Sequence, residues 1–143
     1  MSEVIDHVAI RVSDLGRSRV FYAAALEPLG FRILYERDAE HEGGRGVAFG
    51  RVGADDFAIH EPIASLGRNT VTRGMHIAFR ADGVQAVAAF HAAAVDHGGR
   101  SIGAPGPRTE YSEGYYGAFV LDPDGNNVEA VWHAAGPIEP TGV

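Results

Sequence analysis

The sequence predicts an α+β fold: two tandem βαβββ modules forming a curled, cup-shaped mixed sheet with helices on the outer face. Three observations carry that expectation. "HVAIRV" from His7 and "HIAFRA" from His76 repeat one alternating pattern at an offset of 69, which is 76 minus 7. The same offset carries Phe21, Ala23, Ala24, Ala25 and Gly30 onto Phe90, Ala92, Ala93, Ala94 and Gly99. Each helix-like segment is then followed by further strand-like runs, so the repeat is a whole supersecondary unit rather than a short motif.

The elements follow in order. Val4 to Val12 alternates, with Val8, Ile10 and Val12 on one face and His7, Ala9 and Arg11 on the other. Asp14 is placed as an N-cap for a helix through "LGRSRVFYAAALEPLG", which Pro28 disfavours and Gly30 ends. Strands are expected in "FRILYER", "GVAFGRV" and "FAIHEP", with "GADD" as the hairpin turn between the last two. In the second half "MHIAFRA" reads as a strand and "ADGVQAVAAFHAAAVDHGG" as a helix closed by glycine. The stretch "RSIGAPGPRTEYSEG" is expected to hold at most one short strand. "YYGAFVLD" and "NNVEAVWH" flank the turn "DPDG", to which no chemistry is assigned. The modules are read as 1–62 and 74–133, joined by a linker at 63–73 and followed by a tail at 134–143.

Composition narrows the function. A chain of 143 residues is long enough for one compact domain with a real core. Without cysteine there is no disulfide framework, thiolate nucleophile or thiolate metal site, which suits the cytoplasm. A net charge of -7 argues against a nucleic-acid partner, and no apolar run approaches a membrane span. The strand pattern begins at Val4, so no secretory leader is expected before it.

If the large apolar residues pack under the helices, alternation assigns the opposite face of each sheet. His7, Ala9 and Arg11 then look inward, as do His76, Ala78 and Arg80, with Ala58, His60, Asn127 and Glu129 on neighbouring strands. At offset 69, His60 coincides with Glu129, so the three histidines and the glutamate are read as pairwise equivalent. Buried without a metal they would be costly polar groups, and the reading is a metal site of His7, His60, His76 and Glu129. Arg11 and Arg80 are the inward cations for an anionic substrate. His41, His91, His97 and His133 are read as ordinary surface or loop residues. Tyr111, Tyr115 and Tyr116 are candidates for the mouth of the cup, Tyr115 as a substrate contact.

His7 in "DHVAIRVSDLGRSRVFYAAALEPLGF", His76 in "HIAF" and Glu129 in "FVLDPDGNNVEAV" resemble the vicinal oxygen chelate superfamily. That superfamily includes glyoxalase I, extradiol dioxygenases, fosfomycin-resistance transferases, methylmalonyl-CoA epimerase and bleomycin-resistance proteins. The resemblance covers the chain apart from its tail and is far more specific for fold than for reaction. It implies a cup around a divalent metal, often in a homodimer whose subunits complete or exchange modules. It also implies that His7, His76 and Glu129 match three metal ligands. His60 is matched to the position where bacterial glyoxalase I places a glutamate, a departure from that enzyme. Arg11 matches an arginine such glyoxalases use near glutathione. "SEG" at Ser112 is similar to the fosfomycin-resistance loop with its register off by one, and Phe119 stands where a tyrosine is expected. "GYYGAFVLDPDGNNVEAVWH" looks most like glyoxalase-like proteins without assigned reactions.

Imidazole and carboxylate ligands suit Fe, Ni, Co, Mn or Zn. With His60 bound, four ligands leave two adjacent positions for vicinal substrate oxygens, and the metal acts as a Lewis acid with Glu129 able to move a proton. That arrangement, an isomerase, lyase or epimerase, is the favoured expectation. Without His60, a face of two histidines and one carboxylate on Fe(II) fits an extradiol-type dioxygenase. A metal-free drug- or metabolite-binding protein of the bleomycin-resistance type is the third reading. In every case the partner is a small molecule.

Overall fold

The computed structural model describes residues 4–40, 44–51, 53–63, 65 and 70–136. Strand β1 (Val8–Arg11) leads to helix α1 (Leu15–Leu26) and then to β2 (Arg32–Arg37), β3 (Gly46–Arg51) and β4 (Ala54–His60). The second half gives β5 (His76–Arg80), α2 (Val84–Asp96), β6 (Arg100–Pro107), β7 (Tyr115–Leu121) and β8 (Asn127–His133). Each half is one four-stranded mixed sheet, in the orders β1-β4-β3-β2 and β5-β8-β7-β6. The first and fourth strands of each module run parallel and the other pairs antiparallel.

The local rules that shape α1 are visible at its ends. Asp14 accepts a hydrogen bond from the backbone N–H of Arg17 at 3.0 Å, satisfying one of the free donors of the first turn. Pro28 sits in a 3₁₀ turn over Glu27–Leu29, and Gly30 closes it at φ 86°, a conformation that glycine adopts without cost. The long β6 differs from expectation. A segment carrying Pro105 and Pro107 forms an eight-residue strand because β6 is a sheet edge, where a missing N–H leaves no partner unsatisfied.

One core serves both halves. Phe21, Tyr22 and Leu26 of α1 and Val87, Phe90 and Ala94 of α2 are buried with Phe49, Phe57, Phe79, Val120 and Val128 from the sheets. Helix α1 packs on β2, β3 and β4, α2 packs on β6, β7 and β8, and the helices pack on each other. Each sheet therefore has one face covered by its own helix and one face free of helices. The sheets do not close on each other, so each offers its own curled, open face.

The turn "DPDGN" does more than reverse the chain. Oδ1 of Asp122 accepts from the backbone of Asp124 and Asn126, both at 2.9 Å, while its Oδ2 accepts from the Tyr22 hydroxyl at 2.5 Å. Ser13 donates to both oxygens of Asp124, through Oγ at 2.5 Å and its backbone N–H at 3.0 Å. Asn126 donates to the carbonyl of Thr72 at 2.9 Å and accepts from Met75 at 3.0 Å. This buried polar clamp ties the second module's turn to the first module and to the linker.

Candidate functional site

Two clusters of polar side chains occupy the helix-free faces. On the first sheet, a cavity of about 350 Å³ is lined by His7, Ala9, Tyr35, Arg37, Asp55 and His60 with the backbone of β3. Here His7 precedes the paired part of β1, and its Nδ1 lies 2.7 Å from Oδ1 of Asp6. That hydrogen bond raises the imidazole above its ordinary pKa. Across the sheet, Gly46 pairs with His60, and a Cβ at position 46 would stand 2.4 Å from the His60 Nδ1. The missing side chain is what lets the imidazole lie where it does.

On the second sheet, the Glu129 carboxylate is 1% exposed. Its Oε1 accepts from Nε2 of His76 at 2.8 Å, and its Oε2 accepts a short hydrogen bond from the Tyr115 hydroxyl. Burial and the facing carboxylate together push the Tyr115 phenol well above its ordinary range. Around this pair stands an aromatic wall. Phe119 lies 6.1 Å from His76, and Tyr111 packs edge-on against Tyr115 at 5.1 Å.

Strand register corrects one expectation. Ala9 pairs with Ala58 and Arg11 with His60, whereas Ala78 pairs with Glu129 and Arg80 with Val131. The residue equivalent to Glu129 is therefore Ala58, and the equivalent of His60 is Val131. The reason lies in chain length: 49 positions separate Ala9 from Ala58 but 51 separate Ala78 from Glu129, so one constant offset cannot align both strands. His60 also stands four residues along from the level of His7, roughly 13 Å at the usual strand rise.

The other expected residues are divided. Arg11 spans the end of the first sheet, where its Nη1 donates to the Glu61 carbonyl at 3.2 Å. Arg80 shares the face of His76 at the far end of β5 and is exposed. His91 bonds Ser101 at 2.8 Å and His97 caps α2 against Ala93 at 2.7 Å, both structural roles. His41 lies outside the described residues, as do 137–143 of the tail and 64 and 66–69 of the linker.

Tyr35, Arg37 and Asp55 were not legible as site residues. A bulge in β2 between Ile33 and Tyr35 sends two residues of like parity to opposite faces, since Ile33 pairs with core Phe49 and Tyr35 with cavity-lining Ala48. Tyr35 then donates to Asp55 at 2.5 Å, and the Arg37 guanidinium stacks 4.7 Å above its ring.

Among the described residues, no group of three His, Asp or Glu side chains is placed to share a metal ion within one chain. The His76–Glu129 pair nevertheless fits one. Two donors about 2.1 Å from a divalent ion in neighbouring positions lie about 3 Å apart, close to the observed 2.8 Å. Imidazole and carboxylate are suitable ligands, and the mutual hydrogen bond satisfies both donors without the ion.

Paired βαβββ modules carrying imidazole and carboxylate on open sheet faces define a class of small-molecule-binding proteins and metalloenzymes. The chain belongs to the Glyoxalase/Bleomycin resistance protein/Dioxygenase superfamily, whose family model matches residues 4–130. It is similar in structure to a glyoxalase/bleomycin resistance protein from Albidiferax ferrireducens T118, at 30% identity and a TM-score of 0.71 over 89% of this chain and 96% of that one. An antibiotic binding protein, TnmS3 from Streptomyces sp. CB03234, shares the fold at 20% identity and a TM-score of 0.64, over 94% of this chain and 98% of that one. Glyoxalase I from Zea mays does so at 23% identity and a TM-score of 0.64, over 90% of this chain but only 45% of that longer one. No curated protein sequence matches the chain.

Proposed function

We propose that the chain is a divalent-metal-dependent enzyme that binds a small substrate through two neighbouring oxygens. His7, His76 and Glu129 are its protein ligands. The observation that carries this reading is the buried Glu129 carboxylate paired with His76 on an otherwise open sheet face. Because no third His, Asp or Glu side chain joins that pair among the described residues of one chain, His7 is supplied to it by a second copy in a homodimer. The cysteine-free composition suits the cytoplasm.

A bound Fe, Ni, Co, Mn or Zn ion would supply Lewis-acid polarisation of the substrate oxygens. The chain's own residues do the rest. Tyr115 holds one oxygen of Glu129 by a hydrogen bond and fixes the direction of the other, as outer partners of ligands commonly do. Glu129 is the group able to take or return a proton at the substrate, which describes an isomerase, lyase or epimerase. His60, displaced along β4, faces the substrate rather than the ion. Phe119 and Tyr111, their rings 6.4 Å apart, offer the substrate an apolar surface beside that pair.

The register also favours a second reaction class. With the methyl group of Ala58 at the position equivalent to Glu129, three protein ligands remain and an octahedral ion keeps three open positions. On Fe(II) that number suits oxygen together with a bidentate catechol.

Elemental mass spectrometry on untagged protein tests both readings. Near-stoichiometric iron supports the dioxygenase reading, and zinc, nickel, cobalt or manganese the isomerase or lyase reading. Protein that arrives empty and cannot be reloaded would overturn both and leave a binding module.

A further inference from the structure

Beyond Glu129, the second sheet carries a fixed cation. Arg108 folds back over β6, where Nη2 donates to the Ala104 carbonyl at 2.7 Å and Nη1 to that of Pro107 at 3.2 Å. Its guanidinium lies 5.4 Å from the Phe119 ring centre. Space for it comes from two glycines in the irregular part of β6. A Cβ at Gly103 would lie 3.2 Å from Nη2 and 2.8 Å from the Phe119 ring, and a Cβ at Gly106 would lie 3.2 Å from Nη1. Gly103 pairs with Phe119, and Phe119 with Glu129, so all three share the helix-free face.

The side chain is half-buried and held by neutral carbonyls. Among the described residues, Arg108 has no carboxylate partner, although the chain carries a net charge of -7. Elsewhere Arg19 pairs with Glu36 and Arg73 lies against Asp124. A guanidinium positioned by its backbone, stacked on an aromatic ring and without a carboxylate in ion-pair contact, has N–H donors to offer an oxyanion.

We infer that Arg108 binds an oxyanion of the substrate, so that the substrate is a small anion with an apolar spacer lying on Phe119 between that group and its two neighbouring oxygens. This rests on the metal-enzyme reading for the position of the vicinal oxygens, but not for the anion site itself. Gly103 and Glu129 are two strands apart, so the spacer is short, on the order of 10 Å end to end.

The test uses the full chain and two probes that lack vicinal oxygens, phenylacetate and phenylphosphonate, titrated into metal-free protein by two-dimensional NMR. Shifts are expected at Arg108, Gly103 and Phe119. Arg108→Gln should weaken binding by about tenfold or more, as a charged hydrogen bond is worth. Arg108→Lys, which keeps the charge but not the fork, should fall between the two. Whichever probe binds more tightly identifies carboxylate or phosphonate as the preferred oxyanion. No binding of either probe, or equal binding by wild type and Arg108→Gln with its spectrum intact, overturns the inference. 3,4-Dihydroxyphenylacetate then separates the two readings. If phenylacetate binds through Arg108 but the diol gains nothing from added Mn(II) or Zn(II), the metal reading fails while the oxyanion site stands.

Discussion

Nε2 of His76 lies 2.8 Å from Oε1 of Glu129, joining a half-exposed imidazole to a fully buried carboxylate across the parallel strands β5 and β8. The strand pairing itself sets this contact, because His76 is opposite Asn127 and Glu129 lies two residues further along the same face. On the proposed metal reading, replacing either side chain removes a ligand rather than a packing group. Glu129→Gln and His76→Ala should each lower Mn(II) or Zn(II) affinity by more than about a hundredfold by calorimetry, since even outer-shell partners are commonly worth about tenfold to a hundredfold.

The proposed site, shared between two copies, predicts complementation. His7→Ala and His76→Ala remove side chains that are 58% and 52% exposed, so both variants should fold. Each alone should lose high-affinity metal. Mixed, unfolded and refolded together, they should regain roughly a quarter of wild-type binding, because half of the random dimers carry one intact site of two. Metal content of the refolded mixture gives the answer, and no recovery would show that His7 and His76 do not meet across a dimer.

Tyr22 links helix α1 to the turn of the second module through Asp122. Tyr22→Phe should cost about 1.5–3 kcal/mol in urea unfolding, the usual worth of a hydrogen bond to a charged group. The phenol also carries a pH signature, because burial and then the Asp122 charge push its pKa well above the ordinary value. A raised folded value means that its contribution is complete below the unfolded pKa of about 10 and is lost as pH rises beyond it. Wild type should therefore lose stability above about pH 10 more steeply than Tyr22→Phe, as unfolding curves between neutral and alkaline pH would measure.

Gly46→Ala probes the cavity of the first sheet. The new methyl group would stand 2.4 Å from the His60 ring and 2.9 Å from the Ile59 carbonyl, so the imidazole must move and β4 must adjust. A loss of about 1–3 kcal/mol is expected from such overpacking. His60→Ala in the same chain should recover part of it, because the ring is the movable half of the clash. Thermal unfolding of the single and double variants measures the coupling.

Much of this was legible in the sequence. Strand alternation put His7, His76 and Glu129 on helix-free faces, Asp14 marked the start of α1, and the repeat at offset 69 revealed the two modules. These features depend on neighbours a few residues away, and local periodicity records such neighbours faithfully. The equivalence of His60 with Glu129 failed because the second module holds two more residues between its paired strands, a difference spread over turns that periodicity does not count. Tyr35, Arg37 and Arg108 were hidden by bulges, each of which resets the parity on which the assignment of faces rests.

By itself, then, the sequence determined the units: two βαβββ modules, their apolar faces, and the imidazoles and carboxylate each would show. Tertiary structure alone decided how the units meet. The helices pack on each other as well as on their own sheets, and Ser13 and Tyr22 lock onto Asp124 and Asp122. That choice comes from burying one shared aromatic core, whose contacts join residues far apart in the chain. No local pattern encodes such contacts, because their free energy depends on which surfaces are hidden together rather than on which residues are adjacent.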